Sequence, residues 1–170
     1  MPVLLASWQA AGAHTPYGQW VVYRKKHLLI GAHRADPPTY ETAKRVAATL
    51  AEHLPKSRSR VARAPHAGRL ASLLGTDQLD VAVLSMADAA EMKAGSGQFK
   101  PYGQIPLRLL AVIGDQVLVA HQRFPARHAW LVTSTLADEG TARRVDSNFP
   151  ADIPLHPGSA KFFEGLPQPI

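Results

Sequence analysis

Polar side chains follow three predicted strands of this chain, where each strand gives way to a helix. His33 and Arg34 follow the first strand, His66 follows the second, and Ser85 and Asp88 follow the third. Because the carboxyl ends of parallel strands meet helix amino-termini, such junctions form a crevice lined with free N–H groups, which suits a small anionic ligand. The residues predicted to bind it are His33, Arg34, Thr39, Tyr40, His66, Ala67, Ser85, Met86 and Asp88.

Two interpretations of these side chains remain open. In the first, Arg34 forms a bidentate contact with a carboxylate, and backbone N–H groups near Thr39, Ala67 and Ala87 complete an anion-binding nest. In the second, some of the polar residues only cap helices, because every helix start needs a capping group. The residues to which this simpler interpretation applies are Thr39, Ser85 and Asp88.

A metal site is an alternative, because imidazoles and carboxylates together are ligands for zinc, copper or iron. His33 and His66 would supply the imidazoles, with Asp36 and Asp88 nearby in the sequence. Their spacing matches no compact motif such as His-Glu-x-x-His, so we predict neither a bound metal nor a cofactor.

Catalysis has less support than binding. Ser85 lacks the Gly-x-Ser-x-Gly turn of a nucleophilic serine, and the chain has no glycine-rich phosphate loop. We therefore predict that the protein is not an enzyme.

The composition limits the class of protein further. The chain has 170 residues, 46% of them hydrophobic, which is enough for one well-buried domain. It has no Cys, which excludes disulfides and thiolate metal sites. The formal net charge is +6, but the basic residues are scattered and are not interleaved with aromatic side chains. We predict no nucleic-acid partner, and we interpret the basic residues 58–63 as a charged strand edge.

Strands and helices alternate along most of the chain. Strands are predicted over residues 21–30, 60–64, 79–84, 107–113 and 116–120. Helices are predicted over about 39–53, 66–74, 85–94 and 125–136, with a short one after Pro157. This order predicts an α/β fold, a three-layer sandwich around a mostly parallel five-stranded sheet. The predicted organisation is a loosely ordered arm or signal remnant over 1–20, a single lobe over 21–164 and a tail over 165–170.

Four segments occur in an informative order. The first helix begins with Pro-Pro-Thr-Tyr at 37–40, and the second junction reads Ala-Pro-His-Ala-Gly-Arg-Leu at 64–70. The third strand and junction read Asp-Gln-Leu-Asp-Val-Ala-Val-Leu-Ser-Met-Ala-Asp at 77–88, and the tail reads His-Pro-Gly-Ser-Ala-Lys-Phe-Phe-Glu at 156–164. Together these segments resemble the TAXI family of solute-binding proteins, the substrate receptors of one class of TRAP transporters.

The resemblance covers about residues 27–121 and 129–164, and it has departures. The family's glycines before Thr-Tyr are prolines here, and the Glu-Asn pair of its second turn is replaced. Family members cross into a second α/β lobe after the segment that ends at His121, whereas this chain continues directly into its late helix. The resemblance therefore implies one lobe of a type II periplasmic binding protein, without the opposing jaw that buries a carboxylate ligand.

The function that the resemblance implies is non-enzymatic binding of a small anionic, carboxylate-type solute, linked to TRAP-type transport in the periplasm. The expected partners are that solute and a membrane transporter or exported protein, and a homodimer that completes the shallow site is a further option. The first residues lack the basic region of a complete secretory signal.

A second hypothesis is a periplasmic accessory or protein-interaction module that has lost solute capture. Its interface would use apolar side chains on the crevice face. The candidates are Tyr40, Met86, Met92, Phe99 and Tyr102.

Overall fold

A five-stranded sheet between two layers of helices forms the body of the protein. The computed structural model describes residues 23–143 and 153–170. The strands are β1 (Leu29–His33), β2 (Arg60–Ala64), β3 (Val81–Ser85), β4 (Leu107–Ile113) and β5 (Gln116–His121). The helices are α1 (Pro37–His53), α2 (Ala67–Gly75), α3 (Met86–Ala94), α4 (Ala126–Asp138) and α5 (Pro157–Phe163), with short 3₁₀ turns at Pro55–Ser57 and Gly97–Tyr102.

The sheet is mixed, with the strand order β2-β1-β3-β5-β4. β1 pairs in parallel with β2 and β3, whereas β5 pairs antiparallel with β3 and β4. The predicted α/β class and five strands are confirmed. A mostly parallel sheet is not confirmed, because two of the four strand pairs are antiparallel. The cause is the tight turn at Gly114 (φ 64°), which sends β5 back between β4 and β3.

Each face of the sheet has its own hydrophobic core. On one face, Leu50 of α1 and Val132 of α4 belong to a single buried cluster. On the other face, Leu74 of α2 and Met92 of α3 belong to a second cluster. The chain thus crosses from β1 to β2 over one face and from β2 to β3 over the other. Ligands of such sheets bind at the carboxyl ends of the two strands where the order reverses, which here are β1 and β3.

The first strand differs from its prediction. Residues 23–26 are helical, β1 begins only at Leu29, and residues 21–22 lie outside the described part, as does the predicted arm over 1–20. Gly31 lies inside β1 and does not end it. A Cβ atom at Gly31 would lie 2.3 Å from Leu79 Cδ2, so the missing side chain makes room for packing.

Both edges of the sheet are protected against further pairing. β2 is an edge strand on which Arg60 and Arg63 are exposed, as predicted for this basic segment. At the opposite edge, β4 forms single bridges with Arg143 and Leu155. The remaining predicted strands and helices agree with the structure within a few residues at their ends.

The tail motif at 156–158 docks α5 against the start of α4. The Nε2 atom of His156 donates a hydrogen bond to the carbonyl oxygen of Phe124 at 2.8 Å, and its Nδ1 atom accepts the N–H of Gly158 at 3.2 Å. A Cβ atom on Gly158 would lie 2.0 Å from the carbonyl oxygen of Ala126. The motif therefore has a structural role, since His156 caps α5 and Gly158 permits its close approach.

We expect Gly158→Ala to destabilise the protein by about 1–3 kcal/mol, because the added methyl group overlaps the backbone of Ala126. Gly75→Ala is the matched control, since its Cβ atom would meet nothing nearer than Ile105 at 3.8 Å. That variant should be as stable as the parent protein or slightly more stable. Urea unfolding of both variants measures the difference, and equal stabilities would contradict the docking role of Gly158.

Lowering the pH should reduce the free energy of unfolding, in part because His156 takes up a proton. Burial lowers the pKa of His156 below its ordinary value of 6.5, although the hydrogen bond to Phe124 opposes this, and Arg108 lowers the pKa further. The unfolded chain thus takes up a proton at a higher pH than the folded protein. The contribution of the neutral His156 imidazole to the free energy of unfolding is fully present above pH 6.5. It is lost as the pH falls through the lowered pKa of His156.

His156→Gln should therefore reduce the difference in unfolding free energy between about pH 7.5 and about pH 5.5. Part of the pH dependence should remain, because burial and Arg123 also lower the pKa of His121. An unchanged pH dependence in the variant would exclude His156 as its source.

Candidate functional site

We call the carboxyl ends of β1 and β3, where their ladder has stopped but both strands continue, the crevice. The ladder between these two strands covers only Ile30 and Gly31 of β1, whereas the ladder between β1 and β2 continues to His33. His33 is the last residue of β1 and lies two residues beyond the final pair with β3. The structure thus places this imidazole at the point where the strand order reverses.

His33 is buried and has no hydrogen-bond partner among the described residues. The residue is 5% exposed, and neither of its ring nitrogens, Nδ1 or Nε2, hydrogen-bonds to any atom of the described residues. Its Nε2 atom lies 3.7 Å from Oδ2 of Asp88, which is longer than a hydrogen bond. A buried polar group in this condition is unusual and costs about 1–3 kcal/mol.

Two carboxylates lie beside this imidazole. One ligand atom from each of His33, Asp36 and Asp88 falls within a group whose members are all within 4.8 Å of one another. We call these three residues the acid–histidine cluster. Asp36 lies in the loop between β1 and α1, and Asp88 lies in the first turn of α3, where a carboxylate suits the helix dipole. Oδ1 of Asp88 also accepts a hydrogen bond from Gln98 at 3.1 Å.

Two other predicted site residues cap helices. Oγ of Ser85 accepts the N–H of Asp88 at 3.1 Å, which makes Ser85 the N-cap of α3. Nδ1 of His66 accepts the N–H of Arg69 at 3.2 Å and caps α2. The capping interpretation is therefore correct for Ser85, and the structure groups His33 with two carboxylates and not with His66.

Thr39 and Asp88 were predicted to cap helices, but neither is the N-cap of its helix. α1 begins at Pro37 with Asp36 as its N-cap, and the Asp36 side chain makes no capping hydrogen bond. Thr39 is buried within the first turn, where its Oγ1 donates a hydrogen bond to the Asp36 carbonyl oxygen at 2.9 Å. This bond fixes the loop that carries the Asp36 carboxylate.

The remaining predicted residues contribute little positive charge to the crevice. Arg34 is exposed, and its backbone N–H extends the ladder to β2 by bonding the Ala64 carbonyl oxygen at 2.9 Å. Tyr40 and Met86 are partly buried against the two cores, and Ala67 is buried. The residues of the crevice that the structure brings together are thus one imidazole and two acids.

Two interface candidates are excluded by burial. Met92 and Phe99 are both 0% exposed and belong to the core beneath α2 and α3, so neither can contact a partner. Tyr102 is 40% exposed and packs over the start of α2, where its hydroxyl approaches Gly68.

A cleft of about 370 Å³ lies at the opposite edge of the sheet and contains none of the predicted site residues. It sits where β4 begins and β5 ends, and it exposes the basic side chains of Lys93 and Arg108. No buried polar group without a partner lines it among the described residues. The chemistry of the acid–histidine cluster is therefore separate from this cleft.

Asp36 was absent from the predicted ligand-binding residues, although it lies only three positions after His33. Its position between the end of a predicted strand and Pro37 could have indicated that it lies at the same sheet edge as His33. Gln98 had no such signal, because its contact with Asp88 spans 10 positions and depends on the turn after α3.

No family model and no curated protein matches this sequence. The resemblance to TAXI receptors therefore remains a prediction from the four segments. Within residues 23–143 and 153–170, no helix has the length and apolar character needed to cross a membrane.

His33→Leu should stabilise the ligand-free protein by about 1 kcal/mol, because it removes a buried polar group that has no partner in the described part of the chain. Thr39→Val is the matched control, since it removes a buried hydroxyl that does have a partner, and it should destabilise by about 1 kcal/mol. Urea unfolding in a chelating buffer compares the two variants. A loss of stability in His33→Leu would mean that the imidazole is satisfied within the protein.

Proposed function

We propose that this protein is a non-enzymatic ligand-binding domain whose small ligand sits at the carboxyl ends of β1 and β3 and presents positive charge to Asp36 and Asp88. The observation that carries this proposal is the His33 imidazole, which is 5% exposed and lacks a hydrogen-bond partner among the described residues. A ligand in the crevice removes the cost of that unsatisfied group, and it lies where α/β sheets bind ligands.

The sign of the ligand's charge follows from the donors and acceptors around the cluster. Two carboxylates lie beside the imidazole. Pro37 and Pro38 occupy the first two positions of α1 and have no N–H to offer an anion. These features favour a positive group over the carboxylate that the family resemblance implies. Exposed Arg34 is the residue on which the anionic alternative depends.

The site lies on a single lobe. Only residues 122–125 connect β5 to α4, so no second lobe is inserted between them. A single lobe buries less of its ligand than a clamp between two lobes does. We therefore expect weak affinity for a free solute, or a site that a partner completes.

The TAXI resemblance extends this proposal to transport. It predicts that the domain is exported to the periplasm and delivers its ligand to a TRAP-type permease. The α/β sheet, with its strand order reversing beside the site, supports this extension. Fractionation of the native host would locate the protein, and co-purification would identify a permease subunit.

The proposal is tested by thermal denaturation of the chelator-treated protein against a panel of amines, amino acids, polyamines and carboxylates at millimolar concentration. A ligand present at 100 times its Kd stabilises the folded state by about 2.7 kcal/mol, which raises Tm by several degrees in a domain of this size. We expect stabilisation by compounds with a positive group, and a smaller effect in Asp36→Asn.

Arg34→Ala distinguishes the anionic alternative. If carboxylates stabilise the parent protein and Arg34→Ala removes the effect, the ligand is an anion held by Arg34. If neither these compounds nor metal ions shift Tm, the proposed function is wrong.

A further inference from the structure

We infer that the acid–histidine cluster binds a divalent transition-metal ion through Nε2 of His33 and one carboxylate oxygen each of Asp36 and Asp88. This inference rests on the proposed function, because it identifies the positive ligand of that site as a metal ion.

The distances fit shared coordination. Two donor atoms that each lie about 2.1 Å from one ion are roughly 3–4 Å apart, depending on the coordination angle. Nε2 of His33 and Oδ2 of Asp88 are 3.7 Å apart, and the ligand atoms of all three residues lie within 4.8 Å of one another. The half-buried Asp36 side chain makes no capping bond that would have to break for its oxygen to approach a shared ion.

The buried imidazole distinguishes this cluster from an ordinary group of surface acids. His33 is 5% exposed, its Nε2 has no hydrogen-bond partner in the described chain, and the Asp88 carboxylate is the group that this nitrogen approaches. Coordination through Nε2 satisfies one of the two ring nitrogens and offsets the repulsion between two neighbouring carboxylates.

The donor set selects the kind of ion. One imidazole nitrogen and two carboxylate oxygens suit zinc and neighbouring first-row divalent metals, whereas magnesium and calcium prefer oxygen donors alone. Three protein ligands leave coordination positions for water or for a small solute, as in open zinc sites. An anionic solute would then bind the ion, so the ion would supply the positive charge that the crevice otherwise lacks.

The three ligands come from three separate parts of the fold. His33 ends β1, Asp36 lies in the following loop, and Asp88 lies in the first turn of α3. A shared ion would therefore connect the end of β1 and the loop that follows it to the start of α3, which follows β3. Metal binding should consequently raise the stability of the whole domain by mass action.

The test uses the full chain purified without a histidine tag and freed of metal with a chelator. Zinc is titrated by calorimetry, and magnesium serves as the oxygen-preferring control. We expect zinc to bind at one equivalent and to raise Tm, while magnesium at the same concentration does neither. Cobalt substituted for zinc should give the visible absorption of a nitrogen- and oxygen-coordinated ion.

Asp36→Asn is the decisive variant, because the Asp36 side chain caps nothing and its loss should leave the fold intact. We expect zinc affinity to fall at least about 10-fold in Asp36→Asn, and further in His33→Leu. His66→Asn is the matched control, since Asn still caps α2 and the residue lies outside the cluster. Its zinc affinity should equal that of the parent protein.

Three outcomes would overturn the inference. Zinc binding that survives both Asp36→Asn and His33→Leu would locate the ion on other histidines, and loss in His66→Asn would locate it at α2. Absence of zinc binding, with an amine or amino acid still stabilising the chelated protein, would refute the metal and leave the proposed function standing.

Discussion

The structure depends on β1 pairing in parallel with two strands at once. β2 on one side takes the chain over the first face of the sheet, and β3 on the other side takes it over the second face. The two helical layers, their separate cores and the position of the crevice all follow from this single arrangement. The ladder to β3 is short, ending at Gly31, so the strands part just below His33. A longer ladder would close the crevice.

Burial and hydrogen bonding oppose each other at the acid–histidine cluster. The core requires apolar residues at the end of β1, and the rest of that strand supplies them. An imidazole at His33 instead lowers the stability of the ligand-free domain, because neither of its nitrogens has a hydrogen-bond partner among the described residues. A bound group that satisfied one of these nitrogens would remove part of that cost.

Local features of the sequence predicted much of this fold. The strand at 60–64, the break between the strands 107–113 and 116–120, and the end of α3 near residue 94 were predicted from signals within a few residues, and each is confirmed. The insertion of β5 between β3 and β4 was not predictable, because it is decided by pairing between distant strands. The strand predicted over residues 21–30 stops short of Gly31, whereas the structure places Gly31 inside β1, where the missing side chain leaves space for Leu79.

The positions of the cluster residues were predictable to a similar degree. His33 and Asp88 were predicted to follow parallel strands, and the structure places His33 at the end of β1 and Asp88 after β3. Their separation could not be predicted, because it depends on how α3 packs beside β1. The burial of Met92 and Phe99 was missed for a related reason, as the sequence does not say which helix faces the second core.

The four residues between β5 and α4 decide where the chain could accept an insertion. Gln122 and Arg123 are exposed, whereas Phe124 is buried in the core beneath α1 and α4 and holds His156. A segment inserted between Gln122 and Arg123 would leave and rejoin the lobe at adjacent points. The number of lobes could therefore change there while every strand of the sheet kept its neighbours.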